Sequence, residues 1–161
     1  MSLGTMAGVA AGVAVLVVAG GAVAGAADAG DLGTYRIREA GSNRCVAPND
    51  GLMGARLDSC GASTWWTLRA VGDGTVRFVV EGADGERCLG LSPAPVAPAA
   101  LWLSACGASP DTWTVEGARA DGRGPLTLRL AAAPLASLAP VGGRAALGGD
   151  GSPMWVLQPA G

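Results

Sequence analysis

The stretch Cys60-Gly61-Ala62-Ser63-Thr64-Trp65-Trp66-Thr67-Leu68 decides how the chain is read, because its end comes back twice. Trp66-Thr67-Leu68 returns as Trp113-Thr114-Val115 and again as Trp155-Val156-Leu157, at intervals of 47 and 42 residues. A period of that size marks one structural unit used three times, as in a propeller, a solenoid or a threefold β-fold. The cysteines keep the same spacing, with 43 residues from Cys45 to Cys88 and 46 from Cys60 to Cys106. Each cysteine pair precedes its own tryptophan.

Moving outward from the tryptophans, each unit opens with a stretch of alternating apolar and polar residues, the mark of a half-buried strand. These stretches are Thr34-Tyr35-Arg36-Ile37-Arg38, Thr75-Val76-Arg77-Phe78-Val79 and Leu126-Thr127-Leu128-Arg129-Leu130. A second short strand is expected at Cys45-Val46, Cys88-Leu89 and Ser137-Leu138. A third is expected at Ala55-Arg56-Leu57, Leu101-Trp102-Leu103 and Ala145-Ala146-Leu147, and the tryptophan strand is the fourth. Turn signals separate them, among them Asn49-Asp50-Gly51, Asp73-Gly74, Asp84-Gly85 and Gly148-Gly149-Asp150-Gly151. The folded part is therefore expected to be all-β, with three four-stranded repeats. The third unit has lost its cysteines: Ser137 stands where Cys45 and Cys88 do, and Asp150 where Cys60 and Cys106 do. Ala131-Ala132-Ala133-Pro134 offers few large side chains to bury, so local opening is expected to cost least there.

The N-terminal part has a different character. From Met6 to Ala27 no residue is charged, and Val9 to Val18 has the length of a signal-peptide apolar core. Ala22-Val23-Ala24 and Ala24-Gly25-Ala26 both suit cleavage. The expected organisation is a signal peptide over residues 1–27, a flexible start over 28–33 and a folded domain over 34–161. Met1 to Met6 lacks the Lys or Arg of an ordinary signal, and the uncharged stretch exceeds about 18 residues, so an uncleaved membrane anchor is the rival reading. Membrane contact would come only through that segment. Either way the domain is expected outside the cytoplasm, secreted or held at the cell envelope.

Four cysteines suit that compartment. Four permit three pairings. The repeat favours Cys45 with Cys60 and Cys88 with Cys106, because each bridge then stays within one unit and closes a loop of similar size. Each such loop is worth about 3 kcal/mol on the chain-entropy account. Without a CxxC pair or any His, metal ligation is not expected.

Composition narrows the function. All eleven basic residues are arginine, scattered singly between Arg36 and Arg144 under a net charge of −2, so nucleic acid is not an expected partner. Without His or Lys the chain lacks the side chains most used for proton transfer near neutral pH and for Schiff bases. No Ser sits in a nucleophile motif and no carboxylate pair stands out as acid and base. The chain is expected not to be an enzyme and to need no cofactor.

Three units of four strands, a disulfide within some of them and a tryptophan closing each together resemble the ricin-type β-trefoil of ricin B-chain lectins and their bacterial carbohydrate-binding relatives. The resemblance covers about residues 34 to 158 and is strongest at Tyr35-Arg36-Ile37-Arg38, Cys88-Leu89-Gly90-Leu91 and the Trp-Thr-Leu run after Cys60. It implies a six-stranded barrel capped by hairpins, and a glycan or cell-wall polysaccharide as ligand. Sugar sites of that family combine an Asp just after a Cys-Leu pair, an aromatic ring on the third strand and polar partners near a Gln-x-Trp motif. This chain departs from each. Ala47, Gly90 and Ala139 stand at the Asp position, Asp58, Ser104 and Gly148 at the aromatic position, and Thr64, Asp111 and Pro153 at the Gln position.

Trp66, Trp113 and Trp155, at equivalent positions, are expected to fill the core. Trp65 must face the opposite way from Trp66, and Trp102 sits between Leu101 and Leu103 on a strand whose alternate residues face out. Trp102 is therefore the first candidate for ligand contact, with packing under a loop as the plainer reading. Asp58 and Trp65 are the further candidates, although Asp58 beside Arg56 also reads as a solvated ion pair. Glu81, Asp84 and Glu86 read as surface charge around a turn. The expected function is a secreted carbohydrate-binding, lectin-like module. The alternative is a protein-interaction trefoil, for example protease-inhibitor-like, presenting the Pro-rich segment Ser92 to Pro98 to a protein partner.

Overall fold

The computed structural model describes residues 30–48, 54–93, 99–117, 124–152 and 154–161. The expected signal segment and residues 94–98 of the Pro-rich segment lie outside the described residues. Twelve strands appear, one for each expected position. The first unit holds β1 (Asp31–Glu39), β2 (Arg44–Ala47), β3 (Arg56–Ser59) and β4 (Trp66–Gly72). The second holds β5 (Thr75–Gly82), β6 (Gly85–Leu91), β7 (Ala99–Ala105) and β8 (Trp113–Glu116). The third holds β9 (Thr127–Leu130), β10 (Ser137–Val141), β11 (Arg144–Gly149) and β12 (Trp155–Pro159). Among the described residues the helical content is a single 3-10 turn, Ala62–Thr64, and no helix is long and apolar enough to cross a membrane. One boundary differs from the expectation. β1 begins at Asp31, inside the segment read as a flexible start, because Arg69 of β4 donates to Asp31 at 2.6 Å and Ala70 N–H donates to the Gly30 carbonyl.

The pairing closes into a ring. β1 pairs with β4, β4 with β5, β5 with β8 and β8 with β9, all antiparallel. Leu126, just before β9, bridges to Trp155 of β12, and β12 returns to β1. The register repeats as well: Tyr35 faces Trp66, Val76 faces Trp113 and Leu126 faces Trp155. The remaining strands form the hairpins β2–β3, β6–β7 and β10–β11, which meet one another through backbone bonds. Ala55 N–H donates to Leu101 O at 2.8 Å and Ala145 N–H to Ala55 O at 3.0 Å, while Ala146 pairs with Ala100. At the start of this contact Gly54 takes φ of +74°, and a side chain there would collide with the Leu101 carbonyl.

Alternation along each strand turns one face inward, and those residues fill a single core. Trp66, Trp113 and Trp155 are fully buried, as expected. Each indole N–H donates at 2.8 Å to a carbonyl of its own unit, respectively Val46, Leu89 and Leu138. A buried indole N–H without an acceptor would be costly, and here the same acceptor position serves in all three units. Phe78 lies edge-on between Trp66 and Trp113, with ring centroids 6.5 and 6.2 Å away. Ile37 and Leu128 occupy its place in the other units, so the repeat is threefold in backbone and not in packing.

Both disulfides are those the repeat favours, Cys45–Cys60 and Cys88–Cys106. The third unit joins the same two places without sulfur. Buried Ser137, at the first cysteine position, accepts a hydrogen bond at 3.1 Å from Gly151 N–H, one residue beyond the second. Gly149 has no room for a side chain beside the Ser137 hydroxyl.

Candidate functional site

The loop between the third and fourth strands of the first unit carries Trp65. It leaves Cys60, turns through the 3-10 residues Ala62–Thr64 and reaches Trp65 before β4 begins. Two internal ties shape it. Thr64, fully buried, donates its hydroxyl to Gly61 O at 2.8 Å and accepts from Gly61 N–H at 3.2 Å. Arg36 of β1 donates to the same Gly61 carbonyl at 3.1 Å. The other units use the same device with other residues. Arg77 donates to Asp111 at 2.8 Å, and Asp111 accepts Gly107 N–H at 2.6 Å. Thr127 donates to the Gly151 carbonyl at 2.8 Å. A polar residue of each unit's first strand thus holds that unit's last loop.

Because Arg36 reaches across to Gly61, its guanidinium lies 3.8 Å from the centroid of the Trp65 ring. A guanidinium over an indole face is attracted by the ring quadrupole and holds the ring in place. Trp65 is half-buried and lines an open depression of about 270 Å³. Thr34 of β1, Ser63, Thr67 of β4 and Glu81 of β5 supply its polar groups, and Pro48, Val79 and Val80 its apolar wall. The depression is therefore made by the loop of the first unit together with strands of the first and second.

The three candidates taken from the sequence do not converge. Of Trp65, Trp102 and Asp58, Trp65 alone lines the depression. Asp58 is paired with Arg56 at 3.3 Å, both side chains about half exposed, as the solvated-pair reading has it. Trp102 is half-buried on β7 between the buried Leu101 and Leu103, directly opposite Gly90 of β6. The Gly90–Trp102–Ser104 face is crossed by the loop before β8: Ser104 and Ser109 hydroxyls are 2.9 Å apart and Leu91 N–H donates to Pro110 O. A side chain at position 90 would strike Pro110 and Asp111.

The same packing accounts for the residues at the family's sugar-contacting positions. Ala47, Gly90 and Ala139 are buried, and Thr64 and Asp111 spend their polar atoms on their own loops. Asp111 lies near Cys88 and Cys106, but those sulfurs are joined to each other and its carboxylate is held by Arg77 and Gly107. What the sequence could not single out is Glu81. Its side chain makes no hydrogen bond or ion pair among the described residues, while its cross-strand neighbour Glu86 is held by two bonds of 2.7 Å from Arg69. That guanidinium holds the Glu86 carboxyl below the usual range.

Among solved structures the chain is similar to a designed 3-fold symmetric protein, ThreeFoil, with a TM-score of 0.57 and 18% sequence identity over 79% of this chain and 99% of that one. It is also similar to part of a mosquitocidal holotoxin, with a TM-score of 0.56 and 12% identity over 80% of this chain. That match spans 17% of the holotoxin chain. At such identities the likeness shows the fold, which is a β-trefoil. No protein-family model and no curated protein matches the chain.

Proposed function

We propose that this β-trefoil is an exported carbohydrate-binding module of the ricin type, without catalytic machinery, and that its glycan-contacting surface is the depression around Trp65. The observation that carries the reading is the half-buried indole, held by Arg36 and ringed by Thr34, Ser63, Thr67 and Glu81. A pyranose offers an apolar C–H face and a rim of hydroxyls. An indole covers the first, and hydroxyls with a carboxylate exchange hydrogen bonds with the second. Since Arg36 already restrains the ring, little side-chain freedom is lost on binding. The two disulfides suit an extracellular setting, which is where cell-wall polysaccharide is met.

The surface moves from Trp102 to Trp65 for a physical reason. The face carrying Trp102 is crossed by the chain's own loop, whereas the Trp65 face is open. A screen of glycans and cell-wall polysaccharides, read by tryptophan emission, tests the reading. Saturable, calcium-independent binding is expected, weakened at least tenfold by Trp65→Ala and unchanged by Trp102→Ala. No binding by the folded protein to any glycan would refute it and transfer attention to protein partners.

A further inference from the structure

Glu81 gives the depression a sign. On an antiparallel pair, residues directly opposite each other have their side chains on one face, and like charges there are unfavourable. Glu81 and Glu86 are such a pair. Arg69 neutralises Glu86, and Asp31 takes the remaining nitrogen of the same guanidinium at 2.6 Å. Arg36, the arginine nearest the indole, is engaged with Gly61 and stacked on Trp65. Arg36 keeps its charge against the indole but does not line the depression, and among the lining residues Glu81 is the one charged side chain, exposed and in no ion pair among the described residues.

Resting on the carbohydrate reading above, we propose that the Trp65 depression takes a glycan bearing a protonated amine. The ammonium of an amino sugar would sit against Glu81 while the C–H face of the same pyranose lies on Trp65. Neutral sugars would satisfy the ring and leave the carboxylate uncompensated. Glycans with uronic acids would be repelled by it. Opposite charges close together at a partly shielded surface attract even in the presence of salt, though less as ionic strength rises.

The test is calorimetric titration of the full chain with two oligosaccharides of equal length, a glucosamine oligomer and its fully N-acetylated counterpart, below the pKa of the amine. At least tenfold tighter binding of the free amine is expected. Glu81→Gln should bring it down to the level of the acetylated oligomer, Asp84→Asn should leave the preference intact, and Trp65→Ala should weaken both. Each variant is first shown folded by its near-ultraviolet circular dichroism. Equal affinity for the two oligomers, or a preference that survives Glu81→Gln, overturns the amine assignment and leaves the carbohydrate reading standing. An equal loss in Asp84→Asn would mean diffuse attraction and overturns it too. Absence of binding to these and every other glycan overturns both.

Discussion

Replacing Ser137 with alanine tests whether a hydrogen bond holds the third unit as disulfides hold the other two. The hydroxyl is fully buried and accepts Gly151 N–H at 3.1 Å, so the variant strands a donor. A typical buried bond contributes about 1 kcal/mol net, and a donor left without a partner raises the loss to about 1–3 kcal/mol. The lower end applies if water reaches Gly151, which is only half-buried; the upper end applies if the loop stays closed. Closure is favoured because Thr127 still holds the Gly151 carbonyl at 2.8 Å. Urea unfolding followed by tryptophan emission should therefore show a lower midpoint at unchanged slope, with a stability loss of about 2 kcal/mol. The double variant with Thr127→Ala should deviate from additivity by at least about 0.5 kcal/mol, since both side chains grip one residue. A loss below about 0.5 kcal/mol in Ser137→Ala, or strict additivity in the pair, would refute the reasoning.

Two further predictions follow from the same geometry. Trp66→Phe, Trp113→Phe and Trp155→Phe each remove an N–H from a carbonyl at 2.8 Å and leave a void, so each should cost at least about 1–3 kcal/mol. Urea unfolding that finds one of the three neutral would show the threefold acceptor pattern to be energetically unequal. Acid should destabilise the fold through Glu39 and Glu86, whose carboxyls are held below the usual range by hydrogen bonds from Arg44 and Arg69 respectively. A lowered folded pKa means that the unfolded chain binds protons first. The stabilisation is complete above the ordinary glutamate range near about 4.3 and is lost as pH falls below it. The melting temperature should hold from pH 7 to 5 and drop toward pH 3, and Glu39→Gln should make that drop shallower.

The fold was largely legible because its signals are local or periodic. Alternation located the strands, the spacing of Cys45, Cys60, Cys88 and Cys106 indicated the bridges, and the recurrence of Trp66, Trp113 and Trp155 marked the core. Asp31 was not legible as strand because its partner, Arg69, is 38 residues away and no pattern of apolar residues announces an ion pair. The same holds for Ser137 and Gly151: neither residue type signals a link until the loop is seen. The sequence placed Trp102 ahead of Trp65 without sight of what surrounds either ring, for a related reason. Both alternate outward, and what separates them is supplied from elsewhere, Arg36 from β1 in one case and the loop through Ser109 and Pro110 in the other. Glu81 was indistinguishable from its acidic neighbours until Arg69 was seen to choose Glu86.

Ring closure has a consequence for recognition. Among the described residues every strand meets at least two others, some through a single residue pair, and β12 finds its second through Leu126. Among the described residues, an extended peptide or a second copy of the chain therefore finds no strand with one side wholly free to pair with. That shortens the template on which amyloid-like growth or strand-adding peptide capture relies. Recognition is thereby left chiefly to side chains and loop backbone, where single substitutions can change selectivity while the barrel stays as it is.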